Sequence, residues 1–204
     1  MTDLIQQQLI AARRNQILDA AAVVFAEHGF HPTTIRDIAR HAGIADGTIY
    51  NYFDNKTALL LGIFERAKAS IVQQHMPAAP EQLDLRTLIK LSLVHPLMAL
   101  KQDNFALFRI LLSEMMVNED LRTLYFQQIM EPMLSSGELM LGQASVSYGL
   151  TPREAGLTVR AISALMLGMM LHHIMGDTTL HAEWDAMPDF LTDLILNGIL
   201  EKNS

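Results

Sequence analysis

Residues 33–56 read TTIRDIARHAGIADGTIYNYFDNK, and the reading of this stretch decides the fold. Thr34 followed three residues later by Asp37 is the pattern of a capping box, which starts a helix. Ile35, Ile38 and Ala39 then share one helical face, leaving Arg36 and Arg40 on another. Gly43 supplies the left-handed conformation that a helix end needs. Ile44 turns inward, and a second helix is expected from Asp46 to Phe53. Two short helices joined by a tight turn containing glycine form the DNA-binding helix-turn-helix, whose second helix enters the major groove. Asn55 is then a helix N-cap, with Lys56 in the first turn of a long helix expected to reach Gln74.

Upstream, a first helix is expected from Leu4 to His28, with Ile10, Ile17, Ala21, Val24 and Phe25 forming its apolar stripe and Arg13 and Arg14 lying off it. Gly29 is placed to end that helix, and Phe30 sits where such an end wants an apolar contact. His31-Pro32 imposes an extended step before the helix-turn-helix. Downstream, Leu59, Leu60, Ile63, Phe64 and Ala67 form the packed face of the long helix. The segment PAAP, from Pro77 to Pro80, marks a break between two parts of the chain. Beyond it no alternating strand pattern occurs, and helices are expected over 82–101, 104–117, 119–147, 152–175 and 187–201. Pro96 and Pro132 should kink or split two of these. Thr151, Pro152 and Glu154 form a helix start, Gly176 a stop, and Met187-Pro188-Asp189 the start of the last helix. The expected fold is therefore all-α.

Composition narrows the function. The net charge of −7 is unevenly held: residues 1–75 carry seven Lys/Arg against seven Asp/Glu, and residues 76–204 carry eight against fifteen. Phosphate binding depends on local cations and helix N-termini, so a neutral first part is compatible with DNA while the acidic remainder would repel it. The absence of cysteine excludes disulfides and thiolate metal sites and suits a reducing cytoplasm. The N-terminus lacks an apolar run behind a basic start, so no secretory signal is visible. The most apolar run, Ala161 to Leu171, has 11 residues, against about 20 for a membrane span. A cytoplasmic protein without a membrane partner is expected.

Residues 29–64, GFHPTTIRDIARHAGIADGTIYNYFDNKTALLLGIF, resemble the DNA-binding domain of the TetR family of bacterial regulators. The likeness rests on the Gly-aromatic step, Thr-x-x-x-Ile-Ala, Ala-Gly, Gly-Thr-x-Tyr-x-Tyr-Phe and the Asn-Lys that opens the next helix. It covers the first 70 residues or so; the rest agrees in length and helical pattern alone. The resemblance implies a homodimeric, ligand-responsive repressor, with residues 1–56 as the helix-turn-helix domain and 57–204 as the ligand-binding and dimerisation domain. It also implies that Thr34, Tyr50, Tyr52 and Lys56 hold phosphates, and that Ala45, Asp46, Gly47, Thr48 and Asn51 form the exposed part of the recognition helix. Asp46 departs from the commoner Lys, Arg or Pro, and Ala45 from the usual Ser or Thr cap. A carboxylate there either stabilises the helix N-terminus or accepts from a cytosine amine. The string Ala45–Tyr50 is similar to that of some fatty-acid-responsive members.

The residue chemistry leaves alternatives. Gly47 would let backbone approach the duplex, the Thr48 methyl could meet a thymine methyl, and Asn51 could pair with adenine or be an ordinary exposed polar residue. Tyr50 and Tyr52 are phosphate donors or core aromatics. Of thirteen methionines, eleven follow residue 90, and flexible, polarisable Met suits a core that adapts to apolar guests. Met98, Phe105, Phe108, Arg109, Leu112, Met115, Met116, Tyr125, Phe126, Ile129, Met130, Met133, Met166 and Met170 are the candidate effector lining, with ordinary core packing as the alternative. Arg109 would either be buried and hold a carboxylate or phosphate of the ligand, or pair with Asp103 or Glu114 at the surface. His95, His172 and His173 lack metal-ligand spacing, since adjacent helical residues diverge by about 100°, so neither metal nor cofactor is expected. Ala155–Met175, which mixes Gly156, Ala161, Ser163, Ala164 and Gly168 with larger apolar residues, is expected to pair with the last helix in a homodimer interface. The expected partners are double-stranded operator DNA, a second copy through the last two helices, and a small hydrophobic or amphipathic effector. No phosphate loop, nucleophile elbow or metal spacing points to an enzyme. A DNA-binding activator with no small ligand is the competing reading.

Overall fold

The regular elements follow the helical periodicity of the sequence. The computed structural model describes residues 2–75, 84–101, 105–145 and 149–200, and every regular element among them is helical. In order these are α1 (Thr2–His28), α2 (Ile35–Ala42), α3 (Asp46–Tyr50), α4 (Lys56–His75), α5 (Leu85–Lys101), α6 (Ala106–Val117), α7 (Glu119–Tyr125), a π turn (Phe126–Met130), α8 (Glu131–Ser145), α9 (Pro152–Ile174), α10 (Thr178–Ala182) and α11 (Met187–Leu200). The PAAP break lies outside the described residues.

The chain divides into two compact units. The first holds residues 1–68 together with 106–126, so α6 and α7 pack with α1–α4 although they are distant in sequence. Its core includes Ile17, Leu18, Ala21, Val24 and Phe25 of α1, Ile38 and Ala39 of α2, Ile49, Phe53, Leu59, Leu60 and Ile63 of α4, and Phe108, Leu111 and Leu121 of α6 and α7. Burial on α1 begins with these residues; Ile10, expected on the buried stripe, is 48% exposed, as are Leu4, Ile5 and Leu9 to a larger degree. Ala67, expected on the packed face of α4, is likewise exposed. Gly62 is a contact residue: a Cβ there would lie 3.0 Å from the Phe53 ring and 3.1 Å from Leu18.

The second unit holds 69–105 and 127–204. α8 packs along α9, and α5 packs against α11. Leu85, Ile89, Leu93 and Leu97 line the buried side of α5, and Arg86 pairs with Asp193 while Lys90 pairs with Asp189 at 2.5 Å, both on α11. Pro96 does not split α5, which continues through it; buried Leu93 and Leu97 anchor the helix on either side of the lost hydrogen bond. Pro132 does act: the expected 119–147 helix divides at a π turn just before it. Widening the backbone by one residue there accommodates the ring and the missing N–H. Thr151 and Glu154 form the expected capping box with Pro152 at the first turn. The sequence reading omitted α10, a five-residue helix capped by Asp177. Phe105 is buried at φ 59°, an unusual conformation for a bulky side chain, and its ring is fixed against Trp184 and His173 at 5.2 and 4.5 Å.

α9 also revises the expectation on apolar length. Taken as a whole helix of 23 residues, it is long and apolar enough by composition to cross a membrane. Within the unit it packs instead against α8, α10 and α5, and Arg160 pairs with Glu138 of α8.

Candidate nucleic-acid interface

Local chemistry sets the helix-turn-helix. Thr34 at the N-cap of α2 accepts from the Asp37 amide at 3.2 Å, and the Asp37 carboxylate accepts from both the Thr34 amide and its hydroxyl, at 3.0 and 2.6 Å. These Thr34 bonds hold the Asp37 carboxyl below its ordinary value of 3.8, helped by Arg40 at 2.7 Å. A carboxyl lowered in the folded state stabilises above its ordinary pKa, and the contribution is lost as pH falls through the lowered value. Gly43 closes α2 at φ 67°, with Ile44 N–H donating to Ala39 O at 3.0 Å. Thr34→Ala is expected to destabilise the first unit by about 1 kcal/mol at neutral pH. A thermal melt that shows equal stability for the variant and the wild type would refute the capping role.

The recognition helix is shorter than expected. α3 ends at Tyr50, and Asn51 and Tyr52 form a turn before buried Phe53. Ile49 faces the core, which turns Gly47, Tyr50 and Asn51 outward, with Asp46, Thr48 and Tyr52 half-buried and Ala45 exposed. Ala45 caps α3 without a side-chain bond. Asp46 accepts from Nε of Arg36 at 3.2 Å, a pairing between α2 and α3 that the sequence reading missed because it joins residues ten apart. A Cβ on Gly47 would meet nothing within 4 Å, and its φ is not positive, so the fold itself does not require glycine there.

Lys56 is placed differently from the expectation. Its Nζ donates to the carbonyls of Phe30, His31 and Thr33 at 2.8, 3.2 and 2.7 Å and stands 4.8 Å from the Phe30 ring centroid. An ammonium has three protons, and all three meet backbone oxygens here. In this structure the amine, assigned to phosphate from the sequence, fastens the α1–α2 loop to the start of α4. Asn55 caps α4 as expected, accepting from Ala58 N–H at 2.9 Å. Thr33 is buried and donates to Gly29 O at 2.7 Å, while Gln16 donates to Ala42 O at 2.7 Å and ties α1 to the end of α2. A cleft of about 470 Å³, lined by residues including Glu27, His28, Asp37 and Arg40, lies beside this loop.

The candidate effector residues divide between the units. Phe108, Arg109, Leu112, Met115, Met116, Tyr125 and Phe126 belong to the first, and Met98, Phe105, Ile129, Met130, Met133, Met166 and Met170 to the second. Phe108, Ile129, Met166 and Met170 are buried, whereas Met98, Phe126 and Met133 are exposed and Met116 is 75% exposed. Leu112, Met115 and Met130 are half-buried, and burial pushes the Tyr125 hydroxyl above its ordinary value. Arg109 is exposed, which removes the buried-anchor reading, and Glu114 is buried and engaged by His31. His172 faces Asp177 at 3.3 Å and His173 stacks near Phe105, His181 and Trp184, so the adjacent histidines diverge; the His95 side chain lies outside the described residues.

Residues 17–63 match the family described as bacterial regulatory proteins, tetR family. The fatty acid metabolism regulator protein of Bacillus subtilis is 44% identical over 59 residues, covering 29% of this chain and 30% of that protein. The HTH-type transcriptional repressor KstR2 of Rhodococcus jostii is 48% identical over 50 residues, 24% of each chain. These matches span less than a third of either regulator. The fold agrees over far more: the transcriptional regulator FadR from Bacillus subtilis, solved in complex with stearoyl-CoA, superposes with a TM-score of 0.74 and 25% identity, covering 90% of this chain and 97% of that one. Residues 17–63 thus carry the likeness to the tetR family of bacterial regulatory proteins, and the helical remainder shares the fold of such a regulator.

Proposed function

We propose that this protein is a transcriptional repressor that binds a palindromic operator as a homodimer and releases it when a small amphipathic molecule binds the C-terminal part. The outward-facing α3, built on a capped α2 and a left-handed Gly43 turn, carries the DNA reading. In it Gly47, Thr48 and Asn51 read base edges, and Thr34, Tyr50 and Tyr52 contact phosphates. Asp46 orients Arg36 at the start of the helix. Because nothing in the fold calls for glycine at 47, close approach of the duplex supplies a reason for it. The division of labour follows the sequence boundary, with residues 1–56 reading DNA and 57–204 binding the effector and the second copy. Such a protein acts in the cytoplasm, where its operator is.

The dimer reading rests on an exposed stripe. Leu157, Ala161, Ala164 and Leu171 recur along α9 with half-buried Gly168 among them at three- and four-residue spacing, Met175 follows at its C-cap, and all but Gly168 are exposed; α11 exposes Phe190 and Leu194. Apolar faces of this extent mark interaction surfaces. A two-fold axis through these helices would present two recognition helices to half-sites about 34–36 Å apart.

A long-chain acyl thioester is the effector class best supported, because the stearoyl-CoA-bound regulator superposes on nine-tenths of this chain. The test is to select the operator from random duplex DNA and titrate its complex with stearoyl-CoA. Operator affinity should fall at least tenfold, which requires preferential binding to the DNA-free arrangement. An affinity unmoved by stearoyl-CoA and by the free fatty acid would favour the competing reading, a DNA-binding regulator or activator with no small ligand of this class.

A further inference from the structure

Among the described residues, the DNA-reading function leaves a buried ionisable group unused. Glu114 is 4% exposed on α6, a helix that packs on α1 within the first unit. Its carboxylate Oε1 lies 2.9 Å from Nε2 of His31, whose own side chain is 77% exposed in the loop between α1 and α2. A buried carboxylate needs a donor, and this one finds it in the loop that delivers the chain to the helix-turn-helix. The same short loop is held from a second side by Lys56, through the carbonyls of Phe30, His31 and Thr33. Phe30 completes the junction, packed against Phe25 at 5.3 Å and edge-on to the His31 ring at 5.8 Å.

We infer that Glu114 and His31 are positioning residues for operator binding. Through them α6 sets the geometry of the Phe30–Thr33 loop, and hence the start of α2, while Lys56 sets it from α4. The inference rests on the DNA-binding reading above. Its physical basis is that Thr33 and Thr34 follow directly from the loop. A shift of His31 is therefore transmitted to the capping box without any flexible segment between them. α6 belongs to the part of the chain after residue 57, so the pair gives that part a direct hold on the reading head. A change in the position of α6 must either carry His31 with it or break the bond.

The experiment uses the full-length protein and its selected operator. Glu114→Met keeps the volume and removes the buried group, and because the His31 side chain left behind is exposed to water, no uncompensated charge stays buried. We expect operator affinity to weaken at least fivefold, within the 5–150-fold range of site-to-site coupling, with a melting temperature no lower than wild type and an unchanged salt slope. Amide exchange at Phe30–Thr34 should speed up. Glu114→Gln, which retains an acceptor for Nε2–H, should restore affinity to within twofold. His31→Ala, a change at an exposed side chain, reproduces the affinity loss should Glu114→Met fail to fold, and the double variant should lose no more than either single one. Wild-type affinity in folded Glu114→Met or in His31→Ala overturns the inference, as does an effect that tracks melting temperature and is not rescued by glutamine. A wild-type protein that binds no DNA would instead refute the regulator reading itself.

Discussion

Gly168→Arg is expected to convert the protein into a folded monomer whose operator affinity is reduced by about two orders of magnitude or more. Two linked half-site contacts commonly exceed a single one by 10²–10⁴. The substitution separates dimerisation from folding for a local reason. A Cβ at Gly168 would meet nothing within 4 Å in its own chain, so the added side chain has open space in the monomer. Replacing glycine by arginine inside a helix also favours the helix by roughly 1 kcal/mol. Across a two-fold axis the same position is flanked by Ala164 and Leu171 of the exposed stripe, where a charged, bulky side chain would hold two α9 helices apart. Sedimentation velocity reports the mass, circular dichroism the helix content, and fluorescence anisotropy the operator affinity. A dimer that persists with wild-type affinity would remove α9 from the interface.

Lys56→Met should lower stability by about 2–3 kcal/mol, given that hydrogen bonds to charged groups contribute roughly 1.5–3 kcal/mol each and that water can replace part of what is lost. For a protein of this size that is a fall of about 5–10 °C in melting temperature. Methionine keeps the length of the stem but removes the ammonium over the Phe30 ring and leaves the three carbonyls of the loop without their common donor. Operator affinity should fall with the loosened loop, while the slope of log affinity against log salt should stay as in wild type, because the amine is occupied inside the protein. A slope reduced by about one would show that Lys56 leaves the loop to hold a phosphate in the complex.

Much of the helix-turn-helix and several other helix ends are legible in the chain itself, because their signals are local. The capping box at Thr34 and Asp37, the left-handed Gly43, the Asn55 cap and the Thr151–Glu154 start are each contained within a few residues, so composition and spacing suffice to place them. The candidate effector residues are less legible. Met116 and Phe108 sit on one helix, and periodicity marks both as apolar, yet one is largely exposed and the other buried.

The sequence by itself determined the all-helical class, the helix-turn-helix and most helix boundaries, because these depend on backbone preferences and side chains three or four residues apart. Only the tertiary structure decided what long-range pairing assigns to individual charges. It joined Arg36 to Asp46, turned Lys56 inward onto three carbonyls, and brought Glu114 from α6 to His31. Those partners lie ten to more than eighty residues apart, where no periodicity in the chain connects them, and desolvation together with hydrogen-bond geometry selects which charge meets which.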